Sequence, residues 1–309
     1  MEFEALKKVK TTKKICPIHH APFVQYEEQQ PFCLECRKEY LRNAEQKAVD
    51  KTFKAYERRR TIEVLKKDSI VGDPKLWQVS FNNYVTDNDE TKTALYKARQ
   101  IAAEYMKVIQ TEKRLEKRIA EIKKRIEEKN AESKDKKELE NLKKELVEVP
   151  KFNTIFSGVP GVGKSHLSMA MLKAINENAD PMLSCLFAST NDLLRLIKSS
   201  FDNPESKYTE LNMTSLLGNV DLLVLDDLGS EASFERYSKK NKEAKNYTQN
   251  VLFGILNARQ RTIITTNLNS NDLEDVYNAK IISRLYKGVE GHLIKFTKAT
   301  ADKRTKITF

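Results

Sequence analysis

The sequence predicts an α/β fold built on a parallel five-stranded sheet, preceded by a small cysteine-rich head. Three observations carry that expectation. Past Pro150, short apolar runs alternate with helix-forming stretches, the pattern of parallel strands packed between helices. One run passes into a helix through FSGVPGVGKSHL at 156–167, and another, LLVLDD, ends in two acidic residues. With 309 residues, the chain has room for one substantial core and a smaller appendage.

Taken in order, CPIHHAPFVQYEEQQPFCLECRKEY is short and turn-rich, and residues 41–67 are helix-forming and basic with few apolar positions. The tripeptide GDP at 72–74 punctuates the chain, which places the boundary between a head at 1–70 and a larger domain at 71–309. Leu95, Ala98, Ile101, Ala102, Tyr105 and Ile109 recur at helical spacing and predict an amphipathic helix over 91–110. Beyond it, Leu115, Ile119, Ile122 and Ile126, then Leu139, Leu142, Leu146 and Val149, form two short heptad arms separated by NAESKD. The segment 112–149 therefore reads as a charged helical hairpin that pairs with itself as a solvated spacer, with a partner-docking arm as the sharper alternative. The strands are expected in FNTIFSG, PMLSCLFAS, DLLVLDD, TIITTN and HLIKF, four of them buried, with helices over 164–177, 191–201 and 246–259.

A composition 39% hydrophobic and 32% charged is that of a folded, charge-rich protein with many exposed helices. No apolar run approaches the roughly 20 residues needed to cross a bilayer, and MEFEALKKVKTTKK lacks the apolar core of a signal peptide, so a cytoplasmic protein without membrane partners is expected. A net charge of +11 favours polyanionic partners, nucleic acid first. Three of the four cysteines fall within residues 16–36, where a metal site is expected; Cys185 stands alone in an apolar stretch as core filler.

A phosphate chain can be cradled only where successive backbone N–H groups point inward past no side chain. Gly158, Gly161 and Gly163 supply that freedom, Lys164 would reach the β and γ phosphates, and the Ser165 hydroxyl would meet Mg²⁺. Asp226 emerges at the tip of a buried strand, a costly place for a carboxylate unless a metal or water network meets it. It is placed to hold Mg²⁺ through its water shell, and Asp227 to orient the attacking water. Asn267, at the tip of TIITTNL, would hold the same water or sense the γ-phosphate. Arg284 in IISRLYKG is a candidate arginine finger, which would act on a neighbouring subunit in a ring or spiral; an ordinary surface arginine is the alternative. Cys16-x-x-His19 and Cys33-x-x-Cys36 make two chelating pairs suited to a structural Zn²⁺, with His20 as an alternative to His19.

These motifs together resemble the AAA+ helicase loaders of the DnaC/DnaI type found in bacteria and their phages. The resemblance runs from about residue 81 to 309 and is carried by SFNNY, GVPGVGKSHL, LFASTNDLLRLIKSSF, LLVLDDLG, LFGILNARQRTIITTNL and SRL. It implies an AAA+ P-loop ATPase that self-associates side by side, grips single-stranded DNA and helps place a hexameric replicative DNA helicase on it. In that pattern Lys164 and Ser165 are the Walker A pair, Asp226 and Asp227 the Walker B pair, Asn267 the first sensor and Arg284 the finger. Lys303 and Arg304 fall where the second sensor would lie, and Phe81 and Tyr84 would line the adenine pocket or serve as core. Two departures stand out. Asp227 replaces the glutamate of many AAA+ proteins, which implies slow hydrolysis, and the 112–149 hairpin is an insertion. Residues 285–309 are too few for a lid plus a double-stranded-DNA-reading domain, so the initiator DnaA fits poorly. A transposition helper of the IstB type shares the core but normally lacks a metal-binding head, whereas phage loaders often begin with one, pointing to helicase contact. An ATP-switched adaptor with little hydrolysis is the remaining reading. ERYSKKNKEAKNY interleaves tyrosines with lysines, as DNA-stacking platforms or as a solvated loop.

Overall fold

The computed structural model describes residues 9–128, 133–231, 242–300 and 302–303. Its contacts fall into two compact units, Met1–Arg59 and Arg60–Phe309. In the first, the segment expected only to be turn-rich forms an antiparallel hairpin of β1 (Val9–Ile15) and β2 (Pro22–Tyr26). The turn between the strands is closed by Cys16 N–H to the Ala21 carbonyl at 2.9 Å. Helix α1 (Leu34–Arg60) follows, 27 residues long with none buried.

The second unit begins ahead of the GDP turn. Helix α2 (Ile62–Asp68) buries Val64 and Leu65. Ile70 then pairs in parallel with Ala188, its N–H donating to the Phe187 carbonyl at 2.8 Å. A single helix, α3 (Asp89–Glu127), absorbs both the amphipathic stretch and the first heptad arm. It starts in a capping box in which Asn88 Oδ1 accepts from the Thr91 N–H at 2.8 Å and Thr91 Oγ1 accepts from the Asn88 N–H at 3.1 Å. Its first half buries Ala94, Ala98, Ile101 and Tyr105 in the core, and its second half buries Leu115, Ile119 and Ile122. That second half lies beside α4 (Ser133–Glu148), and Arg118–Glu138 at 2.9 Å and Arg125–Asp135 at 3.2 Å cross between them. The hairpin pairs with itself, as its apolar spacing requires.

All five expected strands form: β3 (Thr154–Ser157), β4 (Cys185–Ser189), β5 (Leu222–Leu228), β6 (Thr262–Thr266) and β7 (Leu293–Lys295). They pair in parallel in the order β4-β5-β6-β3-β7. Between them run α5 (Lys164–Asn178), α6 (Thr190–Ser199), α7 (Glu210–Asn219), α8 (Lys242–Asn257), α9 (Ser270–Val276) and α10 (Ala279–Leu285). The four strands β3 to β6 are apolar without alternation because both faces are buried, whereas the edge strand β7 buries only Ile294. Phe156, Val224 and Ile263 point into a core shared with α3 and α5, while Ile155, Leu223, Leu225 and Ile264 point into one shared with α6, α7 and α8. Each such leucine or isoleucine stabilises the sheet by about 1.5–3 kcal/mol on burial.

Two buried arginines close the end of the sheet opposite the glycine-rich loop. Arg259 donates to the carbonyls of Leu217, Val220 (3.0 Å) and Arg261 (2.9 Å). Arg261 reaches Glu112 at 2.5 Å and the Pro150 carbonyl at 2.7 Å. Burial lowers the Arg259 pKa to about 10, which leaves it charged at neutral pH. Arg259→Leu would strand several buried carbonyls, so urea unfolding is expected to show a loss of about 2–4 kcal/mol.

Candidate nucleotide site and metal centre

The glycine-rich loop runs from the end of β3 to the start of α5, and its shape is fixed by close approaches. Gly158 has φ +142°, and a Cβ there would lie 2.5 Å from the Phe296 carbonyl oxygen. Gly163, the N-cap of α5, has φ +97° and would drive a Cβ to 2.7 Å from the Tyr84 ring. Neither position accepts another residue without displacing its neighbour. Lys164, the first residue of α5, is buried and turned back across the loop. Its Nζ donates to the carbonyls of Gly158 (2.7 Å) and Val159 (2.8 Å) and to Asn267 Oδ1 (2.7 Å).

The strand order does the rest. Because β6 lies between β3 and β5, the tips of all three converge, with Ser157 paired to Thr266 and Leu228 opposite Thr266 on the other side. The β5–β6 register slips between Leu225 and Leu228, a bulge that re-aims the two aspartates. Within it Asp227 takes φ +56°, a left-handed conformation that costs a non-glycine residue about 1 kcal/mol. Thr265 Oγ1 holds both aspartates, donating to Asp226 Oδ1 at 2.7 Å and accepting from the Asp227 N–H at 2.8 Å. Asn267 Nδ2 donates to Asp227 Oδ1 at 2.7 Å. Lys164, Asn267 and Asp227 thus form one hydrogen-bonded chain across three strand tips.

A cavity of about 410 Å³ opens here. It brings together the sequence-predicted Gly161, Gly163, Lys164, Ser165, Asp226, Asp227 and Asn267, while Gly158 contributes through its carbonyl to Lys164. Tyr84 lines the cavity, whereas Phe81 does not and instead carries the Arg99 guanidinium 5.6 Å from its ring centroid. Arg284 lies away from the cavity in the last turn of α10, its Nε donating to Asn257 Oδ1 at 3.1 Å. Arg304 and most of the ERYSKKNKEAKNY segment lie outside the described residues. Lys303, by contrast, lines the cavity with its Nζ 4.7 Å from the centroid of the Tyr84 ring and donating to the Val85 carbonyl at 2.5 Å. The far wall, including Asp73, Leu76, Val79 and Val85, precedes the loop by about eighty residues, and the sequence marks it only at Asn83 and Tyr84 of SFNNY.

Burial is the largest influence on Asp226 and raises its pKa, against hydrogen bonds from Thr265 and Ser165 that lower it. Such a carboxylate fits a divalent cation, which would relieve the cost of burying its charge; Ser165 is the neighbouring hydroxyl donor.

In the N-terminal unit, the ligand atoms of Cys16, His19, Cys33 and Cys36 all lie within 4.8 Å of one another. Cys16 and Cys36 sulfurs are 3.6 Å apart, and His19 Nδ1 is 3.3 Å from Cys36 Sγ and 3.9 Å from Cys33 Sγ. Tetrahedral zinc with sulfur at about 2.3 Å requires sulfur–sulfur edges near 3.8 Å, so the set fits zinc. The turn after β1 supplies Cys16 and His19, and the entry to α1 supplies Cys33 and Cys36. His20, at φ +51°, is exposed and outside the cluster. The His19 backbone N–H is the main influence that lowers the Cys16 thiol, in the direction of the thiolate that ligates a metal. His19 Nε2 lies 3.1 Å from Glu39 Oε1 on α1, the carboxylate partner that fixes the ring for Nδ1 ligation.

The strand order, the glycine-rich loop and the paired aspartates define a P-loop nucleotide-binding protein of the AAA+ type. The chain belongs to the IstB-like ATP binding protein family, whose profile matches residues 78–285. It is similar to the replicative helicase loader DnaC of Buchnera aphidicola subsp. Baizongia pistaciae, 31% identical over 134 residues, covering 43% of this chain and 50% of that protein. The DnaC of Escherichia coli K12 is 28% identical over 134 residues with the same coverage. The chain thus spans about half the length of the curated relatives it matches. A crystal structure of the DnaC helicase loader aligns at 22% identity and a TM-score of 0.42, covering 72% of this chain and 99% of that one. Among the described residues, no helix is long and apolar enough to cross a membrane.

A raised carboxyl pKa means that the native state binds the Asp226 proton more tightly than the unfolded chain does. Its contribution to stability therefore falls as pH rises from the unfolded value through the native one. Asp226→Asn removes that loss. In thermal scans without nucleotide, the variant is expected to melt above the wild type at neutral pH, with the gap narrowing as the pH is lowered.

Proposed function

We propose that this chain is an ATP-dependent loader that binds a replicative DNA helicase and helps place it on single-stranded DNA during replication initiation, hydrolysing ATP slowly in the cytoplasm. One observation carries the reading: Lys164, Asp226, Asp227 and Asn267 converge on one cavity in a chain similar to proteins named replicative helicase loaders. In this role the free backbone around Gly158, Gly161 and Gly163 accepts the phosphates, and Lys164 exchanges its carbonyl and Asn267 partners for phosphate oxygens. Ser165 and Asp226 would hold Mg²⁺, which would supply charge neutralisation at the phosphates. Asp227, fixed by the Thr265 and Asn267 hydrogen bonds, orients the attacking water, and Asn267 links that carboxylate to Lys164. The position of Arg284 outside its own cavity supports a finger acting on a neighbouring subunit, hence self-association, and Arg304 is assigned as a second-sensor residue beside Lys303. Cys16, His19, Cys33 and Cys36 would hold a Zn²⁺ that ties the head together; a closed set of four ligands suits a structural ion. The net charge of +11 supports contact with DNA phosphates.

The family description favours one second reading, an IstB-like transposition helper; recovery of a transposase rather than a helicase in pull-downs would support it. An ATP-switched adaptor is the other alternative. Asp227→Asn is expected to lower kcat by about 10²-fold, a loss typical of removing one such group; loading that survived intact would favour the adaptor. The deciding measurement is the mass of complexes formed with candidate replicative helicases, with and without ATP. An ATP-dependent complex lost in Lys164→Ala is expected, and failure to bind any helicase sinks the loader reading. Independently, metal analysis is expected to find about one zinc per chain, lost with Cys33→Ser, as a structural site requires.

A further inference from the structure

We infer that Glu231 and Tyr277 form a positioning link that couples a subunit's own Asp227 loop to the arginine it offers its neighbour. The inference rests on the reading of Arg284 as a finger acting between subunits. Three residues beyond Asp226–Leu228, the Glu231 side chain is buried and folds back, its Oε2 accepting from the Gly229 N–H at 2.9 Å. Gly229 itself sits at φ +100°, and a Cβ there would lie 2.5 Å from Leu268, so this turn is held in one conformation. The other oxygen, Oε1, accepts from the buried Tyr277 hydroxyl. Ser230 Oγ donates to the Asp227 carbonyl at 2.8 Å, which joins the turn to the bulged aspartate.

Tyr277 is the C-cap of α9, at the junction with α10. The next residue, Asn278, caps α10, its Oδ1 accepting from the N–H groups of Lys280 and Ile281, each at 3.1 Å. Helix α10 is two turns long and carries Arg284 in its last turn, so a shift of Tyr277 would be carried to the guanidinium as a rigid-body movement. One face of α8 supplies the rail. Gln249, Phe253 and Asn257 stand at i, i+4 and i+8; Gln249 Oε1 accepts from Asn278 Nδ2 at 2.6 Å, and Asn257 Oδ1 accepts from Arg284 Nε at 3.1 Å. The Arg284 guanidinium also lies 5.8 Å from the Phe253 ring centroid. A buried carboxylate whose two oxygens hold the two ends of this path is costly to strand, which makes the link stiff.

The test uses mixed subunits of the full chain. Arg284→Ala supplies competent cavities without a finger, and Lys164→Ala supplies fingers without a competent cavity. Neither is expected to turn over ATP well alone, and their mixture is expected to recover activity. Tyr277→Phe, which removes only the hydroxyl, is then added to one partner at a time. Placed in the Lys164→Ala finger donor, it is expected to cut the recovered kcat by at least about tenfold with KM unchanged, since displacement of a positioned group by about 1 Å can cost 10²-fold. Glu231→Ala in the donor is expected to do the same, and the double variant no more than either alone. A donor carrying Tyr277→Phe that restores activity fully overturns the link while leaving the finger reading intact. A mixture that recovers nothing even without Tyr277→Phe overturns the finger reading and the link with it.

Discussion

Everything at the candidate site depends on placing two carboxylates at the mouth of a buried strand beside a buried lysine. Asp226 and Asp227 are adjacent in sequence, and adjacent residues on a regular strand point to opposite faces. The bulge in β5 breaks that rule. With Asp227 in the left-handed region, both side chains meet the cavity while Thr265 ties one carboxylate and the other residue's amide together. The strain at Asp227 is tolerated because the amide it would orphan is hydrogen-bonded and the chain on either side is locked into the sheet.

That constraint explains the sheet order. Lys164 follows β3 through the glycine-rich loop, and the aspartates lie at the end of β5. Inserting β6 places Asn267 between them, accepting from Lys164 and donating to Asp227. An amide serves both neighbours at once, having an acceptor and a donor on one planar group. The cationic and anionic ends of the cavity are therefore connected through one amide, and against the burial that raises the Asp226 pKa the Lys164 charge acts to lower it.

Much of this was legible in the sequence, and the limits are physical. Four of the five strands are marked by apolar runs that need burial on both faces, and GVPGVGKS and LLVLDD are local patterns whose chemistry follows from residue type and spacing. The hairpin insertion was readable from its heptads, and although no Gly or Pro separates it from the amphipathic helix, the change from core-facing to heptad spacing hid their fusion into the 39-residue α3. The β1–β2 hairpin escaped because KTTKKI and FVQY carry weak alternation in a unit too small to bury a core. The bulge, the role of Thr265, the Tyr84–Lys303 contact and the far wall of the cavity depend on register and on contacts between residues up to about two hundred positions apart, which no local pattern encodes.

The two units solve the problem of stability in opposite ways. The second has two large apolar clusters on the two faces of one sheet, and it can carry a strained aspartate and a buried lysine on that foundation. The first has a two-stranded hairpin and a helix with no buried residue, and a hairpin alone is marginal in water. Its few buried side chains include Cys16, Cys33 and Val24, two of the three being sulfur donors of the cluster. A unit of that size cannot be organised by burial, so its ligand set is the element that can bring β1, β2 and the start of α1 together. An ion held by that set, as proposed, would be required for the head to fold, and the apolar side chains exposed along α1, among them Val49, Phe53 and Tyr56, stand on a helix that the head's own core does not hold in place.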